Sequence, residues 1–215
     1  HAVPYLMGQV KKRIDKPLEP HFHDDFNLGV ANTIMALASG GNVAHTTITG
    51  VGERAGNTPM EDLVVALKTM YDIDLGIKMN QLVNLSKKVC EYARHSIPTN
   101  RPVVGERLYA IESGIVVSWL KHVGLENFLS IAPFMPEFVG HESPSVVLGK
   151  NSGIDSIAAW AEKKGLSLDT AQMRAILTRI KDKALEKKGL LSDEEFITVC
   201  KTICGSPSCG HQPIQ

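Results

Sequence analysis

Residues 21–26, His21-Phe22-His23-Asp24-Asp25-Phe26, and the Gly-rich stretch Gly50-Val51-Gly52-Glu53-Arg54-Ala55-Gly56-Asn57 decide how this chain is read. The first has the pattern of a strand. Side chains alternate faces along a strand, so His21 and His23 point the same way, roughly 6–7 Å apart along it. Two imidazoles so placed can close on one divalent metal. Asp24 then points to the opposite face, and Asp25 returns to the histidine face near the strand end. The second stretch is a loop whose glycines permit unusual backbone angles. It ends in Asn57, whose carbonyl oxygen suits a hard or borderline cation. About one βα unit separates the two, so together they predict a metal site at the ends of adjacent strands, with His21, His23 and Asn57 as ligands. Taken singly, His-x-His is an ordinary surface or core pair, and the glycines mark only a loop.

Outward from these stretches, residues 3–14 read as an amphipathic helix, with Leu6, Val10 and Ile14 at helical spacing. A strand is expected at about 19–25 and a helix over 28–39, stopped by Gly40-Gly41. Residues 43–49 alternate and are β-branched, which predicts a buried strand. A helix over 60–71 is expected to open at Thr58-Pro59 and Glu61. This helix–strand–helix–strand–helix rhythm belongs to a parallel α/β sheet. Helices are then expected at 79–94, 106–123, 153–164, 169–188 and 192–203, with Gly and Pro punctuation at 97–105 and 133–153.

The chain has 215 residues, 43% hydrophobic and 21% charged, an ordinary globular composition. Its 23 basic and 23 acidic residues cancel, which removes the electrostatic case for nucleic acid or an anionic membrane as partner. No apolar run approaches the roughly 20 residues that span a bilayer. The four cysteines, Cys90, Cys200, Cys204 and Cys209, are too few for a disulfide scaffold and predict reduced thiols in a cytoplasm. Cys200, Cys204, Cys209 and His211 match no strong zinc spacing.

Residues 21–57, from His-x-His-Asp-Asp-Phe through Gly-x-Gly-Glu-Arg-Ala-Gly-Asn, resemble the last two barrel strands of the DRE-TIM metallolyases. That family includes 2-isopropylmalate, homocitrate and citramalate synthases and 3-hydroxy-3-methylglutaryl-CoA lyase. The Glu-Arg-Ala-Gly-Asn ending is similar to the synthases, since the lyases carry a cysteine in this loop. Asn100-Arg101-Pro102-Val103-Val104-Gly105-Glu106, Glu112-Ser113-Gly114-Ile115 and Val147-Leu148-Gly149-Lys150-Asn151-Ser152-Gly153 resemble the region after the barrel in the alkylmalate synthases. The similarity runs from about residue 3 to about residue 200. It implies the α/β class: the C-terminal part of a TIM (β/α)8 barrel, followed by a mainly α-helical subdomain. A whole barrel takes roughly 250 residues. The expected division is an incomplete barrel domain over 1–75, a helical post-barrel region over 76–203 and a disordered tail over 204–215.

The resemblance also implies chemistry. His21 and His23 match the family's histidine metal ligands, and Asn57 matches an asparagine at the metal. A divalent cation (Mg, Mn or Zn) polarises a keto acid carbonyl as a Lewis acid. Thr47 matches a position that contacts the keto acid carboxylate; its plainer role is β-propensity. Glu53 and Arg54 are candidates for a substrate carboxylate or thioester, or form a local salt bridge. Asp25 either holds a histidine ligand or caps the next helix. Lys150 either attracts a CoA phosphate or is a solvated loop lysine. Glu112 is a candidate catalytic residue; Val116 stands where the synthases usually carry a catalytic histidine, and valine transfers no proton. The first-strand carboxylate and arginine of the family match nothing in these residues, so the chain alone is expected to be inactive.

The expected activity is therefore that of an acyltransferase condensing acetyl-CoA or another acyl-CoA with an α-keto acid. The alternatives are a carbon–carbon lyase and a non-catalytic remnant or dimerisation module. A homodimer is implied, with Trp119, Leu120, Phe128 and Phe134 as contact candidates.

Overall fold

Helices form close to where the apolar spacing and the caps place them. In chain order they are α1 (Ala2–Lys11), α2 (Gly29–Ala38), α3 (Met60–Tyr71), α4 (Leu82–Ala93), α5 (Gly114–Val123), α6 (Pro136–Val139), α7 (Ile154–Lys163), α8 (Thr170–Lys187) and α9 (Asp193–Cys204). The structure is a computed structural model that describes residues 1–205. Most of the expected tail, with Cys209 and His211, lies outside the described residues.

α8 and α9 start with capping boxes. The Asp169 carboxylate accepts from Gln172 N at 2.8 Å, and the Ser192 hydroxyl accepts from Glu195 N at 3.3 Å. α3 starts differently from expectation: Thr58 does not cap it. Its hydroxyl is fully buried and shares a 2.9 Å hydrogen bond with the Thr33 hydroxyl of α2. Asp72, in left-handed geometry, ends α3.

The chain divides into two compact units. The first holds residues 1–108 and 136–142. There α2 packs on α1 and α3, while α4 packs on the 3-10 turn Ile48–Gly50. Leu63, Val64, Leu67, Leu82, Cys90 and Val104 are among its buried apolar residues. Residues 76–108 pack in this unit although they follow residue 75 in the chain.

The second unit holds residues 109–135 and, of the described residues, 143–205. Leu148, Ile157, Ile176, Ile180 and Phe196 form its fully buried centre. Trp160 packs edge-on against Phe196, with centroids 5.3 Å apart, and donates its indole N–H to Val146 O at 2.7 Å.

Three expectations are corrected. Neither 19–25 nor 43–49 forms a strand. The two segments run side by side, with Asn42 N on Leu18 O at 2.7 Å and His45 N on Pro20 O at 3.1 Å. Beyond that point residues 56–58 take the hydrogen-bonding groups of both: Asp24 N donates to Gly56 O, Thr58 N to Phe22 O, and Thr47 N to Thr58 O. Pro20 also lacks the N–H that would extend a ladder. Only isolated bridges remain here, His23 with Asn57 and Thr47 with Pro59.

The helix expected over 106–123 begins eight residues late. Ala110–Ile111 (β1) is instead drawn into a parallel pair with Ser145–Val146 (β2). Gly114 then starts α5 against Gly153, whose Cα would lie 2.6 Å from a Cβ at 114. Finally, Phe128 is no contact candidate for a partner. It is 3% exposed and packs near the ring of Tyr109 within its own unit.

Candidate metal and substrate pocket

The Gly-rich stretch folds back on itself because its glycines allow it. Gly56 has φ +85°, and a Cβ there would stand 1.9 Å from Gly50 O, so no other residue fits. Asn57 N donates to Gly50 O at 3.0 Å and closes the loop. Thr47 is held from both sides: its N–H donates to Thr58 O, and its carbonyl accepts from Gly50 N and Met60 N. Thr47 and Asn57 thereby meet at one pocket of about 390 Å³, lined also by His21, Ala44, His45 and Thr46.

Two oxygens in this pocket are buried without a hydrogen-bond partner, Thr47 Oγ1 and Asn57 Oδ1. Buried polar atoms are normally satisfied, so these two oxygens stand out among the described residues as open to a further partner. The His21 and His23 rings stand 5.1 Å apart and perpendicular. The two imidazoles are thus neighbours, as expected, although no strand ladder holds them. His23 Nδ1 lies 3.1 Å from Gly56 O. A carbonyl only accepts, so Nδ1 carries the proton and Nε2 is the open nitrogen.

The residues fit a divalent ion through His21, His23 Nε2 and the orphaned Asn57 Oδ1. These are nitrogen and oxygen donors suited to a borderline cation. Among the described residues no group of three or more His, Cys, Asp and Glu side chains converges.

The remaining loop residues turn outward. Arg54 grips Asp25 with two bonds, Nε to Oδ1 at 3.0 Å and Nη2 to Oδ2 at 3.2 Å. That pairing holds the Asp25 carboxyl below the ordinary aspartate range, and it is the local salt bridge weighed above. Asp25 therefore does neither job foreseen for it. Asp24 caps α2 instead, its Oδ1 accepting from Gly29 N at 2.6 Å. Glu53 is exposed beside Arg54.

His45 was missed as a site residue. Its ring centroid lies 5.7 Å from that of His21, and its Nε2 is 3.0 Å from Glu19 Oε2. The signal was present in the alternation: His45 and Thr47 share a face of the extended segment.

Glu112 lies in the second unit and lines a different pocket, of about 960 Å³, with Lys150, Ser118 and Lys181. Its Oε1 accepts from Asn151 N at 2.8 Å, which braces the 149–153 turn. His122 is not among the residues that line this pocket, and its Nδ1 lies 2.6 Å from Ser118 O on its own helix. Among the other ionisable groups of the second unit, burial pushes the Cys200 thiol up to about 11, so it is an inert core residue.

Two family models match the chain. One is described as HMGL-like and covers residues 2–89; the other is described as homocitrate synthase post-HMGL domain-like and covers residues 103–188. The chain is 36% identical over 204 residues to homocitrate synthase AksA of Methanothermobacter thermautotrophicus, covering 95% of this chain and 51% of that protein. It is 37% identical to a putative (R)-citramalate synthase CimA of Archaeoglobus fulgidus, covering 92% of this chain and 39% of that one. It is 34% identical to 2-isopropylmalate synthase of Methanocaldococcus jannaschii, covering 95% and 39%. The chain thus spans about half the length of the first of these relatives. No helix of the described residues is long and apolar enough to cross a membrane.

Proposed function

We infer, from the premise that this chain belongs to the HMGL-like family and continues into the homocitrate synthase post-HMGL domain, that it supplies one wall of the active site of an alkylmalate-type acyltransferase. The reaction is condensation of an acyl-CoA with an α-keto acid. The single observation that carries this reading is the pocket in which Thr47 Oγ1 and Asn57 Oδ1 are buried without partners beside His21. A divalent ion bound there supplies Lewis-acid polarisation of the keto acid carbonyl. The rest is done by the chain. His21, His23 and Asn57 hold the ion, and the Gly56 carbonyl fixes the His23 ring. Thr47 Oγ1, buried with no hydrogen-bond partner, donates to the keto acid carboxylate. Arg54, spent on Asp25, shapes the loop and reaches substrate only if that pair opens. Glu112 is the proton-transfer candidate of the second unit, with Val116 in the histidine position.

A homodimer in the cytoplasm completes the reading, with the half-exposed Trp119, its neighbour Leu120 and the partly buried Phe134 as contact residues. Titration of the chain with cobalt(II) or zinc(II) tests the metal site. One ion should bind, and His23→Ala should weaken it by about 10- to 100-fold or more. Unchanged binding in His23→Ala refutes the ligand set. The chain alone should release no CoA from acetyl-CoA with any α-keto acid, and robust release would show that this wall suffices without another.

A further inference from the structure

Beneath the Gly-rich loop lies a charged cluster that the metal and substrate contacts do not use. Glu61, the second residue of α3, is fully buried, and its Oε2 accepts from Thr49 N at 2.9 Å. Arg101 Nη2 lies 3.2 Å from Asp62 Oδ2 and 3.9 Å from Glu61 Oε1. The same nitrogen would be 3.9 Å from a Cβ at Gly50. Glu61 Oε1, Asp62 Oδ1 and Arg101 Nε are buried with no hydrogen-bond partner.

Thr49 is the corner of the loop. It has φ +57°, a left-handed geometry unfavourable for a β-branched residue. Such a conformation persists only if its surroundings impose it. Glu61 imposes it through the Thr49 amide, and the Thr49 hydroxyl reaches Ile48 O at 2.7 Å. Burial raises the Glu61 carboxyl, and to stay ionised it needs its Thr49 hydrogen bond and a nearby cation to oppose that rise. Arg101 is that cation, and its own turn is tightly built. Gly105 N donates to Arg101 O and Arg107 N to Thr99 O, and a Cβ at Gly105 would stand 2.6 Å from the Arg101 backbone.

We propose that Glu61, Asp62 and Arg101 form a buried ionic latch that positions the 48–57 loop, and through it Thr47 and Asn57, for ligand binding. The three are positioning residues. Arg101 neutralises Glu61, Glu61 holds the strained corner, and the corner sets Gly50, whose carbonyl holds Asn57 N and whose N–H holds Thr47 O. The arrangement carries one negative charge too many when both carboxyls are ionised. Burial, with Glu61 and Asp24 adding to it and Arg101 opposing, pushes the Asp62 carboxyl up to about 7, so a proton relieves the excess. The significance of the latch for ligands rests on the pocket assigned above; the latch itself does not.

Amide hydrogen exchange on the metal-free 215-residue chain, read by mass spectrometry at about pH 6, where Asp62 is mostly protonated, tests this. Arg101→Gln should speed exchange in residues 47–58 by about tenfold or more, because Glu61 is left buried and unpaired. Adding Glu61→Gln should bring exchange back to within about threefold of native, since a glutamine oxygen still accepts from Thr49 N and carries no charge. Peptides from 154–204 should not change in either variant. Native exchange in Arg101→Gln, or a double variant as loose as the single one, overturns the latch. Should Arg101→Gln not fold, the double variant decides alone, by native-like or lost protection of 47–58. Cobalt(II) titration of the same proteins separates the two readings. If the native chain binds no metal, the metal site fails, while the exchange result still stands or falls by itself.

Discussion

Asp62→Asn should make this protein more stable relative to the native chain as pH rises, and the size of the effect follows from burial. The native carboxyl sits at about 7 against 3.8 in its ordinary state, so the folded chain holds the proton more tightly than the unfolded one. A group raised in this way contributes stability that is fully present below about 3.8 and is lost as pH rises to about 7. The full span corresponds to about 4 kcal/mol, of which about 2.5 kcal/mol falls between pH 5 and pH 8. Asparagine has no proton to lose, so the variant escapes that decline. The stability difference, variant minus native, should therefore grow by about 2–3 kcal/mol from pH 5 to pH 8.

Urea unfolding of the first unit, followed by hydrogen exchange of α2 and α3, measures it. The chain has an internal control, because both tryptophans, Trp119 and Trp160, lie in the second unit. Their fluorescence transition should be the same in the two proteins at each pH. His141, whose burial lowers its pKa, pulls stability the opposite way, but it is common to both proteins and cancels in the difference. A difference that stays flat from pH 5 to pH 8, or shrinks, would refute the claim that burial dominates at Asp62.

Two further outcomes concern the second unit. Phe196→Ala removes a fully buried ring that packs on Trp160, and should cost about 3–5 kcal/mol, read as a shifted tryptophan transition in urea. Gly114→Ala places a Cβ 2.6 Å from Gly153 Cα and 2.7 Å from its N, backbone atoms that cannot step aside cheaply. It should cost about 2 kcal/mol or more and lower the melting temperature of that unit, whereas an unchanged melting temperature would mean that α5 and α7 slide apart freely.

Local patterns made much of this protein legible in advance. α2, α3, α7, α8 and α9 lie within about two residues of their expected bounds, because helix periods, caps and glycine stops are nearest-neighbour effects. The loop from Gly50 to Asn57 was legible for the same reason: only glycine fits at Gly56. The sequence alone also paired His21 with His23, since a period of two places residues on one face whether or not a ladder forms, while Thr47 was singled out by the family resemblance and Asn57 by its carbonyl chemistry and that resemblance.

Tertiary structure decided what depends on partners far along the chain. Segments 19–25 and 43–49 carry strand-forming residues, yet residues 56–58 take their hydrogen bonds, so they remain extended without forming strands. The start of α5 moved to Gly114 because Ala110–Ile111 found Ser145–Val146, some 35 residues away. Asp24 and Asp25 are adjacent and chemically alike, and only the fold sends one to the cap of α2 and the other to Arg54. Nothing in the sequence groups Glu61, Asp62 and Arg101: Glu61 is read there only as a helix opening and Arg101 only within the segment resembling the synthases. They become a buried cluster because α3 turns its first residues under the loop, where water is excluded and each charge must be answered by another.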